Sequence, residues 1–314
     1  MRKKRYNPFS EELKRMFGCK VQRVSIDAGF TCPNRDGSLD TEGCIFCGGS
    51  GSGSYGIKRG LDVKGQIEDG KEVMRRKYRA ERFLAYFQAY TNTYAPLSEL
   101  SPLFEEALSV EEIVGLIVAT RPDALPDEVL HYFSSLSKTS YFWLEIGVQS
   151  IHDRTLGFLN RRHDHKTSVS AIERAVKLGI RVCAHLILGV PGESISDIHE
   201  TANEMNRLGV HGVKLHLLHV MKGTALEEIF RRGDFAPPER GEYVDMVCDF
   251  IERIDKTILI HRVTGDGGGD NLVSPLWSLK KFEVLNHIDS ELERRGSEQG
   301  VFARSPLPPT FQPL

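Results

Sequence analysis

Three cysteines stand in one glycine-bounded stretch, TCPNRDGSLDTEGCIFCGG at 31–49: Cys32, then Cys44 and Cys47 as a CxxC pair with Phe46 inside it. Clustered thiols support three chemistries. A structural zinc ion takes four closed ligands, commonly thiolates and imidazoles, and Cys19 would have to complete that set with Cys32, Cys44 and Cys47. A CxxC pair can run thiol–disulfide exchange, because the motif lowers a thiol's pKa; it normally opens a helix after a strand, whereas GGSGSGSYG follows here. The third chemistry is a 4Fe–4S cluster, for which thiolates are the protein ligands. Three thiolates on a four-iron cube leave one iron without a protein ligand, and an open position marks a catalytic rather than a structural metal. Gly43, Gly48, Gly49, Gly51 and Gly53 would let the backbone wrap closely round such a cube. The same run lacks the Lys-Ser/Thr ending of a phosphate-binding loop.

These thiols need a reducing compartment and a rigid frame. The chain has 314 residues, 40% hydrophobic and 27% charged, with a formal net charge of -2. That is enough for one large domain with a real core or two ordinary ones, and it argues against wholesale disorder. No apolar run follows the basic start as a secretory signal would require. No stretch approaches the roughly 18 apolar residues of a membrane span. The reading is therefore a cytoplasmic protein with reduced thiols and no membrane partner. Two basic clusters, Arg2, Lys3, Lys4 and Arg5, and Arg75, Arg76, Lys77, Arg79 and Arg82, are each compatible with a polyanion or with a solvated surface.

The frame is legible as alternating strands and helices. Strands are expected at 21–28, 83–90, 115–120, 142–149, 182–190 and 213–220, several almost continuously apolar, as strands covered on both faces are. Helices are expected at about 64–80, 98–108, 127–137, 167–178, 195–208 and 240–256, with a last amphipathic helix around 278–295. Six βα units imply a parallel sheet, open or curled into a partial barrel, with its site at the carboxyl ends of the strands. Those ends read QAYTNTYA, ATRPD, EIGVQS, LGVPGE and HVMKGT. One polar strand end is an ordinary loop; five on one rim describe a ligand site.

The loop and these strand ends together resemble the radical S-adenosylmethionine (SAM) superfamily, in its YhcC/YtqA-type branch, which is similar to the radical domain of the Elongator catalytic subunit. The likeness runs from SIDAGFTCPNRDG through FQAYTNTYAPL, LEIGVQS and LILGVPGE to IHRVTGDG and PLWSLKK. The superfamily's usual motif is CxxxCxxC with an aromatic before the last cysteine. Here Phe46 takes that place, and the first gap is widened to the eleven residues between Cys32 and Cys44. The resemblance implies a (β/α)6 partial TIM barrel over 1–256, including a cluster loop at 29–56, with an N-terminal basic segment and a C-terminal extension at 257–304, and the proline-rich composition of 305–314 reads as a disordered tail. It also implies an enzyme whose 4Fe–4S cluster, on Cys32, Cys44 and Cys47, binds SAM through its open iron. Reductive cleavage of SAM then yields methionine and a 5′-deoxyadenosyl radical.

The remaining roles follow from the same likeness. Glu145, Gln149 and Ser150 would contact the cofactor's ribose or methionine groups, and Arg161 or Arg162 would pair with its carboxylate. Gly189, Pro191 and Gly192 would shape the adenine-binding backbone. Many relatives carry a GGE motif where this chain has TNT, so Thr91 and Asn92 would substitute for it. His185, His216 and His219 are either core residues or lining of the substrate pocket, while Cys183 and Cys248 read as core. The implied partners are a low-potential electron donor of flavodoxin or ferredoxin type and tRNA, processed at a wobble-uridine side chain. A partner enzyme would carry out any acetyl or methyl transfer. A zinc-stabilised nucleic-acid-binding or scaffold protein using Cys19 is the competing expectation.

Overall fold

The computed structural model describes residues 4–49, 60–265 and 269–303. The end of the expected cluster loop, 50–56, and the tail at 305–314 lie outside these residues. Strands β1 (Val21–Ile26), β2 (Arg82–Phe87), β3 (Ile113–Thr120), β4 (Tyr141–Gln149), β5 (Val182–Leu188) and β6 (Gly212–Leu217) fall where the apolar runs predict them. A hairpin-like pair, β7 (Val220–Met221) and β9 (Leu272–Ser274), is small and separate, and β8 (Leu259–Arg262) adds a further strand to the main sheet. The main sheet is parallel throughout, in the order β1-β2-β3-β4-β5-β6-β8, and curls into a half-barrel. Its seventh strand comes from the segment expected to be a C-terminal extension. LIHR is too short and too polar to advertise itself as buried strand.

Helices α1 (Phe9–Phe17), α2 (Val63–Tyr78), α3 (Leu97–Ser109), α4 (Asp127–Thr139), α5 (Asp153–Phe158), α6 (His165–Lys177), α7 (Ile195–Arg207), α8 (Ala225–Arg231), α9 (Arg240–Arg253) and α10 (Lys281–Arg294) fill the connections. Their starts are fixed by local chemistry: Asp62 accepts from Gly65 N at 2.7 Å, Asp164 from Thr167 N at 2.8 Å, and Ser194 and Asp197 close a capping box. Because strand side chains alternate between faces, Phe142, Leu144, Ile146 and Val148 of β4 join the large core under the helices, while Tyr141 and Trp143 point into the barrel. Helix α1 plugs the amino end of that interior. Phe9 stacks on His261 with ring centroids 3.8 Å apart and meets Trp143 edge-on at 5.5 Å. The spacing of Phe9, Leu13, Met16 and Phe17 is the helical signal that reveals α1.

The N-terminal segment also caps the open edge of the sheet. Ile260 N donates to Asn7 O at 2.8 Å and Arg5 O accepts from Gln299 N at 2.8 Å, so the segments around Asn7 and Gln299 meet beside β8. Close packing elsewhere depends on glycine. A Cβ at Gly115 would lie 2.2 Å from the carbonyl oxygen of Tyr141, where only backbone could yield. Gly115→Ala is therefore expected to lower the unfolding free energy by about 1–3 kcal/mol, read as a lower urea midpoint at unchanged slope. An unchanged midpoint would refute this packing.

Candidate active site at the carboxyl ends of the strands

The cysteine loop follows β1 and sits on the rim. Cys32 O accepts from Arg35 N at 2.8 Å, and Cys47 N donates to Cys44 O at 3.0 Å, so the CxxC pair is a tight turn. The loop is tied to the connection between α5 and α6. Asn160 Nδ2 donates to Gly43 O at 2.7 Å and Asp40 Oδ2 at 3.0 Å, Asn34 Nδ2 donates to Asn160 O at 2.7 Å, and Arg162 Nε pairs with Asp40 at 2.6 Å. These ties let an eleven-residue gap between Cys32 and Cys44 hold one shape.

None of the three cysteines is in a disulfide, and Cys44 is buried. Its sulfur accepts from Arg161 Nη1 at 3.3 Å and faces Asn34 Nδ2 at 3.5 Å. Arg161 is itself buried, and its Nη2 donates to Gly147 O at 2.7 Å. A second buried guanidinium, Arg121, donates to the carbonyl of Arg161 at 2.7 Å and is gripped by Asp123 at 2.9 and 2.7 Å. Burial pulls the Arg121 pKa down; the Asp123 bond and charge, with Cys44 and Cys32 nearby, outweigh it and raise the net value. Sequence reasoning passed over Arg121 and Asn34; the RPD ending of β3 was the available signal for the first.

The two candidate arginines part company here. Arg161 faces inward onto the thiol, while Arg162, with half its side chain exposed, holds the loop through Asp40. Thr91 and Asn92 are fully buried beside the loop: Thr91 N donates to Thr31 O at 3.2 Å and Asn92 Nδ2 to Ala119 O at 2.9 Å. Gln149 closes β4 with a left-handed backbone at φ 67°, and Ser150 donates to Glu193. Gly189 and Gly192 have φ of 78° and 83°. With Pro191 they line an open cleft of about 860 Å³ whose far wall is Glu242, Met246 and Asp249 of α9, with no loop cysteine in its lining.

Glu145 stands lower, in the middle of β4 and inside the barrel. Its Oε2 meets Lys214 Nζ at 2.9 Å and accepts from Tyr86 OH, and Lys214 Nζ lies 2.6 Å from that hydroxyl. His185 and His216 lie above it with ring centroids 4.1 Å apart. Burial first, then the Lys214 charge, pushes His185 down to about 3 and keeps it neutral. Lys214 was legible only as an odd polar residue in the run VKLHLL. Cys19 is placed at the amino end of β1, packed against the barrel floor. Six strand residues at about 3.3 Å each separate it from the rim, so it cannot complete a four-cysteine site with Cys32, Cys44 and Cys47.

Residues 32–205 match the Radical SAM superfamily and residues 210–294 its Radical_SAM C-terminal domain. The chain belongs to the radical SAM superfamily. The boundary between the two matched regions falls between α7 and β6, yet β5 and β6 pair directly, so the sheet runs through it. The YtqA protein of Bacillus subtilis (strain 168) is 43% identical over 299 residues, covering 95% of this chain and 93% of its own. The tRNA uridine(34) acetyltransferase of Methanocaldococcus infernus is 28% identical over 208 residues, which is 62% of this chain and 37% of that enzyme. Among solved structures, archaeal Elp3 from Methanocaldococcus infernus, lacking residues 1–46, shares the fold at a TM-score of 0.67 and 18% identity. That match covers 89% of this chain and 64% of Elp3.

Radical SAM enzymes use a 4Fe–4S cluster and SAM, and the rim fits such a pair. Buried polar atoms without hydrogen-bond partners gather there: Arg161 Nε, Arg121 Nη1, Thr91 Oγ1 and Asn92 Oδ1. Unmet donors and acceptors at this depth are what a polar ligand satisfies. The donor set fits too. Cysteine sulfur is the protein ligand of iron in such clusters, and a buried guanidinium N–H already points at one of the three sulfurs. Among the described residues, the donor triads packed within 4.8 Å, as a single ion needs, are Glu145–Cys183–His261 and His152–Asp197–Glu200, and the three loop cysteines are not one of them.

Proposed function

We propose that Cys32, Cys44 and Cys47 hold the 4Fe–4S cluster, leaving one iron open to SAM, and that the enzyme modifies tRNA at a wobble-uridine side chain. The observation that carries the first part is the contact of Arg161 Nη1 with Cys44 Sγ, 3.3 Å long and buried, on a loop braced from both sides. When bound, the cluster supplies one electron to SAM, whose sulfonium carbon–sulfur bond breaks to give methionine and a 5′-deoxyadenosyl radical.

The chain's own residues do the rest. Arg161 and Arg121 stabilise negative charge on the thiolates and on the methionine carboxylate, the strongest form of hydrogen bond available to them. Thr91, Asn92 and Gln149 present polar atoms to the amino and ribose groups, and Gly189, Pro191 and Gly192 border the adenine. The apolar helix shell and the α1 plug keep water from the barrel, where a carbon radical would otherwise be quenched. A low-potential protein reductant of flavodoxin or ferredoxin type delivers the electron.

The tRNA reading is supported by the partial likeness to a tRNA uridine(34) acetyltransferase and by exposed cations at the end of α2. Of these, Arg75 is paired with Glu112, while Arg76, Lys77 and Arg79 remain on the surface. They lie beside the start of β2, at the opposite end of the barrel from the rim, so they would grip the body of an RNA rather than the reacting nucleoside. A partner enzyme would carry out any later group transfer.

Anaerobic reconstitution with iron and sulfide tests the radical reading: about four irons per chain and reductive formation of 5′-deoxyadenosine are expected, and a colourless protein with one tight zinc would refute it. Comparison of modified nucleosides in tRNA from cells with and without the gene tests the substrate. An unchanged profile from cells whose enzyme cleaves SAM removes the tRNA assignment and keeps the chemistry.

A further inference from the structure

The stretch between Cys32 and Cys44, longer than the superfamily's usual CxxxC spacing, does more than separate two ligands. It folds back on itself, Leu39 N donating to Pro33 O at 2.8 Å and Gly37 N to Asp40 O at 3.1 Å. Residues 36–39 are thereby exposed, while Asn34 is turned inward with no exposed surface at all. A fully buried amide on a metal-binding loop needs a reason, because each of its polar atoms has left water.

Its nitrogen has two partners. Asn34 Nδ2 donates to Asn160 O at 2.7 Å and to Cys44 Sγ at 3.5 Å. A main-chain carbonyl only accepts, so the atom facing Asn160 O is the amide nitrogen, and its two hydrogens serve one partner each. Oδ1 is left buried without a hydrogen-bond partner, a cost that an apolar side chain would not carry. What the amide supplies against that cost is its pair of N–H donors. The bond to Asn160 O fixes the direction of the second one, onto the sulfur. Arg161, the next residue after Asn160, brings Nη1 to the same sulfur at 3.3 Å. Cys44 Sγ therefore receives one neutral and one charged donor, at a residue only 7% exposed, where the low local dielectric strengthens both.

We infer that Asn34 is a positioning residue that raises the reduction potential of the cluster through its N–H to the Cys44 sulfur. Hydrogen bonds to the sulfurs are among the factors that set such potentials. Reduction adds one electron from the low-potential donor, and a donor aimed at sulfur holds more strongly as that sulfur gains negative charge. The bond thus stabilises the reduced form more than the oxidised one. With Arg161 turned also to the methionine carboxylate, Asn34 is the sulfur donor that cofactor binding leaves in place. This role rests on Cys32, Cys44 and Cys47 holding the cluster, and it gives the widened gap a function within that reading.

The test is a redox titration of the anaerobically reconstituted enzyme without SAM, followed by electron paramagnetic resonance of the reduced cluster. Asn34→Leu is branched at the same carbon but has no donors. At a fixed solution potential it should lower the ratio of reduced to oxidised cluster about threefold to tenfold, which is about 30–60 mV for a one-electron couple. Iron content reports assembly; if Asn34→Leu holds no cluster, Asn34→Ser, whose hydroxyl is too short to reach the sulfur, carries the same expectation. Asn160→Gly separates tuning from bracing. It keeps the carbonyl that orients Asn34 and suits the left-handed backbone at φ 53°, but loses the side-chain ties to Gly43 O and Asp40, so its cluster should titrate at the wild-type potential. An unshifted potential in an assembled Asn34 variant, an equal shift in Asn160→Gly, or loss of the cluster from both Asn34 variants overturns the assignment. Iron content and 5′-deoxyadenosine formation by the wild type in the same preparation report separately on the radical reading: a wild type without a cluster fails both, whereas an iron-loaded, SAM-cleaving wild type beside an unshifted variant fails the Asn34 role alone.

Discussion

Cys44→Ala is expected to carry almost no iron after anaerobic reconstitution and to form no 5′-deoxyadenosine, whereas Cys19→Ala keeps both at wild-type level. Cys44 is the buried member of the loop trio, held at its sulfur by Arg161 and Asn34 and in its backbone by the turn to Cys47. An alanine there leaves the buried Arg161 guanidinium facing a methyl group and removes one of three anchors from a centre with no spare ligand. Cys19 sits past the far end of a six-residue strand, roughly 20 Å of extended chain from the rim, in contact with the floor of the barrel. Loss of metal from both variants would return the four-cysteine reading and sink the cluster assignment.

The second large effect is on folding. Glu145→Leu should lower the unfolding free energy by about 3–5 kcal/mol at pH 7, because it leaves Lys214 charged and unpaired in the interior. Glu145→Leu combined with Lys214→Met should recover most of that, since burying neither charge is easier than burying one. The pH dependence follows from the directions of the two shifts. Burial lowers the Lys214 pKa, Glu145 opposes this, and the net value is about 8. Between that value and the unfolded lysine pKa of about 10.4, the unfolded chain binds more protons, so stability linked to this group rises with pH through that window and levels off at its lowest below about 8. Burial would raise Glu145, but the Lys214 charge holds it well below the usual carboxylate range, so its contribution is present above about pH 4.5 and lost in acid. Without Glu145 the lysine pKa drops further. The deficit of Glu145→Leu should therefore shrink when urea unfolding is repeated at pH 9.5 instead of 7; equal deficits at both pH values would show that Lys214 is not the charge left stranded.

The alternation of apolar runs with helical spacing placed six parallel strands and seven helices within a few residues of where they lie, because burial on both faces writes itself as continuous hydrophobicity. The short elements were another matter. Strand β8 has four residues, two of them His261 and Arg262, and it is a strand because β6 and the Asn7–Pro8 segment offer it partners, not because of its own composition. Helix α5 is six residues long and lies in the connection that braces the cysteine loop.

At the site the division is the same. Residue types and local spacing determined that Cys32, Cys44 and Cys47 form one loop after the first strand and that the polar strand ends share its rim, since both follow from chain order and the handedness of βα units. Only the tertiary structure decided which of two adjacent arginines meets the thiol. A left-handed backbone at Asn160 and Arg162 turns Arg161 inward and Arg162 outward to Asp40, and no spacing rule encodes that turn. Only it decided that Glu145 belongs to the floor and not to the rim, since its partner Lys214 lies 69 positions away in sequence and two strands over in the sheet. And only it removed Cys19 from the metal site: thirteen positions from Cys32 along the chain, it stands at the other end of the barrel because the six extended residues of β1 lie between them.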